Sequence, residues 1–194
     1  MVSTNPHSAV DQAPRADDAA QSSPFDADAV DALFRECAAD VHGYAFSLLG
    51  DRSSAEDVTA LAFERLYRVR ARLDRMRGTP RAWLFTIARN AALDELRSRT
   101  RRTHQAVDDP PERTDADPGA ALEHAERRAT VRTALATLPR REQELVLLKF
   151  HGQLSNAELA RVLGISESNA GTRVHRALNR LRESCSELDR KEVA

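Results

Sequence analysis

The stretch ELARVLGISESNAGTRVHRALNRL, Glu158 to Leu181, carries two apolar helical patterns hinged at Leu163-Gly164-Ile165-Ser166. Leu159, Ala160 and Leu163 recur with the spacing of one helix face, and Val174, Ala177, Leu178 and Leu181 with that of a second. Gly164 terminates the first pattern, Ser166 caps the next, and Ile165 plugs the angle between them. A short helix, a tight turn containing Gly and a second helix with a polar outer side make the form of a helix-turn-helix. That outer side holds Ser168, Asn169, Thr172, Arg173, His175 and Arg176, the candidate duplex-reading residues. Arg reaches guanine in a bidentate manner, Asn suits adenine, and hydroxyls suit phosphates. Gly171 is expected on the same outward side, at a cost of about 1 kcal/mol of helix propensity relative to Ala, so Gly171→Arg should add a contact. The competing reading is a helical hairpin inside an α-bundle. Eleven basic against four acidic residues over 127–182 argue for the DNA-binding one.

Working outward, Ser155 and Glu158 form a capping box that opens the short helix. Before it, Leu145, Val146, Leu148 and Phe150 mark a helix ending near Gly152. Another, marked by Leu122, Ala125, Ala129, Leu135 and Leu138, ends at Leu138-Pro139. The segment DDPPERTDADPG, Asp108 to Gly119, has adjacent prolines and many acids and reads as a linker. Upstream lie three longer helical patterns. The first starts at about Asp26, runs through Val30, Leu33, Phe34, Cys37, Val41, Tyr44 and Leu48, and stops at Gly50-Asp51. In the second, Ser53 with Glu56 suggests a capping box, and Val58, Leu61, Ala62, Leu66, Val69 and Leu73 give the apolar face. Thr79 as N-cap and Pro80 at the first helical position launch the third. The expected fold is all-α: a three-to-four-helix bundle over 25–103, an acidic Pro-rich linker over 104–121 and a four-helix domain over 122–186. A disordered acidic tail (1–24) and a short tail (187–194) flank them.

The 194 residues are 41% hydrophobic but only 5% aromatic, so the core must come mainly from Leu, Val and Ala. Cys37 and Cys185 are too few for a disulfide framework or a four-ligand zinc site. The histidines (7, 42, 104, 124, 151, 175) are scattered, without metal-ligand spacing or a nucleophile partner, and no Gly-rich phosphate loop is present. No metal, cofactor or catalytic residue is therefore expected. Neither a signal peptide nor a membrane-spanning run is legible, which makes a cytoplasmic location the expectation. The net charge of −1 hides segregation. Residues 65–102 carry twelve arginines against Asp74, Asp94 and Glu95, whereas residues 1–40 carry eight acids against two arginines. A solvated helix face would leave nine positive charges repelling one another, so a polyanionic partner is the better account. The acidic tail and linker could screen the basic blocks in the free protein.

DRSSAEDVTALAFERLYRVRARLDRMRGTPRAWLFTIARNAALDELRSRTRR, residues 51–102, resembles region 2 of a bacterial sigma factor of the extracytoplasmic-function (ECF) group. The resemblance is carried by Ala55-Glu56-Asp57-Val58, Phe63, Arg77-Gly78, Arg81 to Leu84, Ile87-Ala88-Arg89-Asn90 and Asp94 to Arg97. ALATLPRREQELVLLKFHGQLSNAELARVLGIS, residues 134–166, with Arg173, His175-Arg176-Ala177 and Leu181-Arg182, is similar to sigma region 4. The resemblance implies an alternative sigma factor, a non-enzymatic subunit of RNA polymerase. Glu56, Asp57, Val58, Leu61 and Phe63 would meet the core enzyme, whose β′ clamp helices and β subunit are the partners. Arg77, Arg81, Arg89, Asn90, Asp94 and Arg97 would engage the promoter −10 element, with Asn90 at a position that touches a flipped base. Unstacking that base costs on the order of a few kcal/mol, which phosphate contacts must help to offset. Ser168, Asn169, Thr172, Arg173, His175 and Arg176 become the −35 reader, and an anti-sigma factor is an expected regulator. Two positions depart from the family: Ala60-Leu61 replaces a Gln and an acid, and Gly171 a Lys or Arg. Trp83 is expected in the core rather than as a strand-opening wedge. The alternative, a stand-alone helix-turn-helix regulator, would leave the first domain without a task.

Overall fold

The computed structural model describes residues 25–73, 78–105 and 122–192. The expectations for the tail 1–24, for the linker from 106 to 121 and for Arg77 lie outside the described residues. Seven helices follow in order: α1 (Ala27–Leu49), α2 (Arg52–Leu73), α3 (Pro80–Gln105), α4 (Leu122–Thr137), α5 (Arg140–Phe150), α6 (Asn156–Leu163) and α7 (Glu167–Glu192). No strand occurs among the described residues. Two ends run past expectation: α3 continues to Gln105, and α7 continues through residues assigned to a tail.

Local chemistry sets most boundaries. Asp26 caps α1 by accepting from Ala29 N at 2.9 Å, and Gly50 closes it in the left-handed region at φ 70°. The start of α2 differs from the expected Ser53–Glu56 box. Asp51 Oδ2 accepts from Ser54 N at 2.9 Å, while Glu56 turns to Arg52 at 2.9 Å. An acid one position before the first helical residue is as good a cap as Ser, and it leaves Glu56 on the outer surface. For α3 the expectation holds, with Thr79 Oγ1 accepting from Ala82 N at 3.2 Å.

Helices α1, α2 and α3 pack mutually around Cys37, Val41, Tyr44, Ala45, Ala55, Ala62, Leu66, Leu84, Phe85 and Ala88. Tyr44 and Phe85 meet edge to face at 5.8 Å between centroids. Helices α4, α5 and α6 each pack on α7, around Ala134, Leu148, Leu159, Ala170 and Ala177. Small alanines let these helices approach closely, which suits a sequence poor in aromatics. Trp83 is half-buried against the core, as expected in kind, but its indole Nε1 is buried without a hydrogen-bond partner.

The two helical groups also pack on one another. Helix α1 touches α5, α3 touches α6, and one continuous apolar core runs through both groups. Gly152 lies against Phe85: a Cβ there would stand 3.3 Å from Phe85 Cδ1 and clash with Leu148 O.

Candidate nucleic-acid and polymerase interfaces

The helix-turn-helix forms as the stretch from Glu158 to Leu181 requires. Ser155 accepts from Glu158 N, and the Glu158 carboxylate accepts from Ser155 N at 2.9 Å, completing the box. Gly164 adopts φ 67°, a left-handed turn, and Ile165 N donates back to Ala160 O at 2.9 Å. Ser166 Oγ then accepts from Asn169 N at 3.3 Å to start α7. Burial of Ala170, Val174 and Ala177 turns Ser168, Thr172, Arg173, His175 and Arg176 to the surface, with Asn169 half-buried. Arg173 Nε donates to Asn169 Oδ1 at 3.0 Å, so the one side chain holds the other in place. His175 and Asn179 lie within hydrogen-bond distance one turn apart.

Gly171 does not sit on that outer surface. It is half-buried on the flank facing α6, where an added Cβ would stand 3.2 Å from Asn156 Nδ2. The outward placement is corrected by helical geometry: residue 171 shares a side with Val174 and Leu178, not with Thr172 and Arg176.

The arginines of α3 divide into two sets. Asn90, Asp94 and Arg97 are exposed, with Arg97 Nη1 donating to Asp94 at 2.9 Å, and Arg101 and Arg102 continue this surface. Arg81 and Arg89 point the other way. The Arg81 side chain, only 16% exposed, donates through Nη1 to Glu36 (3.2 Å) and Cys37 Sγ (3.0 Å) and through Nη2 to Asp40. It also donates to two backbone carbonyls of the second helical group, Gly152 O at 2.8 Å and His151 O at 3.0 Å. A guanidinium has five N–H donors, and these contacts engage all of them. Arg89 pairs with Glu144 of α5, Nε standing 2.7 Å from Oε1 and Nη2 3.3 Å from Oε2. The closer approach is off the hydrogen-bond line, yet Glu144 is the buried charged residue of the core. Removing one member of such a buried pair costs about 3–5 kcal/mol. A third bridge joins Thr79 Oγ1 to Glu158 at 2.5 Å. Burial would raise the Glu158 carboxyl, but donors from Thr79 and Ser155 and the nearby Arg161 hold it below the usual range.

On α2, Glu56 and Asp57 are exposed and Leu61 is half-buried, whereas Val58 and Phe63 belong to the core. Phe63 also supports Phe34, a ring 50% exposed that meets it edge to face at 4.8 Å. An open groove of about 520 Å³ between α2 and α3 is lined by Asp57, Val58, Leu61, Asp94 and Glu95 among others, and joins the α2 surface to that of Asp94. Arg99 serves the fold, donating to Leu49 O and Asp51 at 3.0 Å each.

Three residues important to this arrangement escaped the sequence reading. Glu144 shares a helix face with Leu147 and Leu148, an acid on an apolar side. Gly43 lies inside a long helical pattern that has no need of a glycine. His151 follows Phe150 at the end of α5 and carries no motif. No group of three or more His, Cys, Asp or Glu residues suited to a metal occurs among the described residues.

Comparisons with known proteins agree with this anatomy. Sigma-70 region 2 matches residues 33–102, and Sigma-70, region 4 matches residues 128–181. The ECF RNA polymerase sigma factor SigL of Mycobacterium tuberculosis is 34% identical over 161 residues, covering 81% of this chain and 89% of that protein. The ECF RNA polymerase sigma factor RpoE of Cereibacter sphaeroides is 28% identical over 154 residues, covering 79% and 84%. The fold is similar to that of the sigma factor RpoE of Bartonella quintana, solved with the anti-sigma factor NepR. That chain gives a TM-score of 0.62 at 24% identity, covering 80% of this chain and 96% of that one. CnrH, solved with the cytosolic domain of CnrY, gives 0.58 at 23% identity, covering 89% and 94%. With both regions matched in order and a relative of this similarity spanning most of the chain, the protein belongs to the ECF sigma factors, alternative sigma factors that bind core RNA polymerase and direct transcription initiation at promoters.

Proposed function

We propose a division of this work among specific surfaces. The exposed side of α2, with Glu56, Asp57 and Leu61, docks on the β′ clamp helices of core polymerase, while Val58 and Phe63 hold that helix in register from beneath. Asn90, Asp94 and Arg97 form the part of the −10 surface that stands open, and Arg77, Arg81 and Arg89 complete it. Ser168, Asn169, Thr172, Arg173, His175 and Arg176 read the −35 element from the first turns of α7. The observation that carries this is the exposure of the polar residues of α7 directly after a capped helix and a left-handed Gly164 turn. Leu61, half-buried beside exposed Asp57, gives the docking surface an apolar contact in place of the family's acid.

Sigma factors are transcription initiation factors rather than enzymes, and the same holds for this chain in the proposed scheme. Among the described residues no helix is long and apolar enough to cross a membrane. An anti-sigma factor fits as a further partner, since the RpoE of Bartonella quintana was crystallised with one.

Run-off transcription with core polymerase tests the scheme. Arg173→Ala should lower initiation at a −35-dependent promoter about tenfold or more, matching the roughly 1–3 kcal/mol that one base-reading arginine supplies. Core association, measured separately, should be unchanged. Glu56→Arg with Asp57→Arg should weaken core association and leave duplex binding by the second domain intact. Equal activity of all variants would refute the assignment, and duplex binding without any polymerase association would favour the stand-alone regulator.

A further inference from the structure

The polar side chains at the start of α7 have part of their hydrogen-bonding capacity committed before any DNA is present. Thr172 donates its hydroxyl proton to Ser168 O at 3.0 Å, so toward a base edge that hydroxyl can only accept. Asn169 is half-buried, and its Oδ1 accepts from Arg173 Nε at 3.0 Å. Arg176, the next exposed arginine, has no hydrogen-bond or ion-pair partner among the described residues.

These commitments decide what each residue can read. Asparagine recognises adenine by accepting from N6 through Oδ1 while Nδ2 donates to N7. With Oδ1 engaged by Arg173 and the side chain half-buried, Asn169 lacks the free edge that this requires. Arginine offers its donors along two edges, Nε with one Nη, and the two Nη atoms together. The bond to Asn169 occupies the first edge and leaves the second, an end-on fork that fits O6 and N7 of guanine. The amide is neutral, so Arg173 brings its whole charge to the duplex. Holding the guanidinium from one turn earlier also reduces the rotamer freedom that binding must remove. Arg176, without such a partner, can reach phosphate and base alike.

We propose that Asn169 is a positioning residue rather than a base reader: it fixes the end fork of Arg173 toward the major groove, so that the −35 element of this chain contains a guanine read by Arg173 and no adenine read by Asn169. This rests on the reading of α7 as the −35 reader and goes beyond it by assigning the base and the support behind it.

The test uses holoenzyme assembled from core polymerase and the full chain. The probe is a genomic promoter fragment that this holoenzyme transcribes, carried as a library with the base pairs around −35 randomised; bound DNA is recovered and sequenced. Arg173→Ala should abolish a guanine preference at one position. Asn169→Ala should weaken the preference at that same position about tenfold, with a smaller loss of total DNA binding because the released arginine still meets phosphates. This variant keeps the start of α7, since Ser166 Oγ accepts from the backbone N–H of residue 169 and alanine favours helix. The double variant should be no less selective than Arg173→Ala alone. Asn169→Asp retains the acceptor without the amide donor, and should restore the guanine preference at lower overall affinity because of its negative charge. Loss of an adenine preference at another position in Asn169→Ala, additive losses in the double variant, or no restoration by Asn169→Asp would overturn the proposal. A guanine preference lost with Arg173→Ala and kept with Asn169→Ala would refute the positioning role alone. No change at any position with Arg173→Ala would remove the −35 assignment of that residue, and the proposal with it.

Discussion

A glycine within a helix costs about 1 kcal/mol relative to alanine, so each one calls for a physical cause. At position 43 the cause is His151, whose ring takes the space a side chain would need. At position 171 it is weaker. The neighbour is the end of the Asn156 side chain, at 3.2 Å from an added Cβ, and a swing of that amide by a few tenths of an ångström makes room. Gly171→Ala should therefore raise stability by up to about 1 kcal/mol, read as a higher denaturation midpoint at unchanged m-value. Gly171→Arg should bring no gain in duplex affinity, because its side chain leaves from the flank against α6. A clear increase in promoter affinity would show that the arginine reaches around to the groove. The outward direction of Ser168, Thr172, Arg173, His175 and Arg176 was legible because helical period fixes it, while Asn169 lies half-buried beside them. Gly171 was misplaced because it falls at the border between inner and outer sides, where one residue's rotation of the assigned face reverses the answer.

At the scale of elements, the caps explain why boundaries were legible where Ser, Thr or Pro marks them and shifted where two caps compete. Thr79-Pro80 and Ser155 behave as their chemistry dictates, whereas Asp51 takes the role that Ser53 also offered. The capping box of α6 carries particular weight because that helix has only eight residues and supports the recognition helix. Ser155→Ala should destabilise the second domain by about 1 kcal/mol, and Ser155→Gly by only a few tenths. Denaturation followed by a probe in α7 would distinguish them. Equal losses would mean that the hydroxyl is not what holds the helix start. The end of α7 was underestimated because its apolar face thins beyond Leu181 while the helix continues on charged and polar residues. Periodicity detects a buried face, and a helix that leaves the core no longer has one.

For the whole molecule, the order of two helical domains was legible, and so was the segregation of charge. What joins the domains was not. Arg81 with Gly152 and Arg89 with Glu144 are separated by 71 and 55 residues, and no local period links such pairs. The basic block therefore looked less compensated than it is: Arg81, Arg89 and Arg99 meet acids from outside α3, on α1, on α5 and in the α1–α2 turn. The contact between the two helical groups also contains a titratable group. His151 packs on Gly43, with Asp40 nearby on α1, and its carbonyl accepts from Arg81 of α3. Burial holds its imidazole below the ordinary 6.5, and the Asp40 charge opposes this without reversing it. The neutral ring is thus favoured when the domains are together, and separation returns it to its ordinary value. Its contribution to that contact is fully present above about pH 6.5 and is lost progressively as pH falls toward the lower value it has while the groups are packed together. Glu158, held below the usual carboxylate range, stays ionised across that window and keeps its bond from Thr79. Small-angle scattering from about pH 7.5 down to about 5.5 should show the free chain expanding. His151→Gln, which fills much of the same space without a titrating ring, should stay at constant dimensions. A parent chain that keeps its size over that range would show that protonating His151 does not loosen the contact, while expansion of both would place the responsible charge elsewhere.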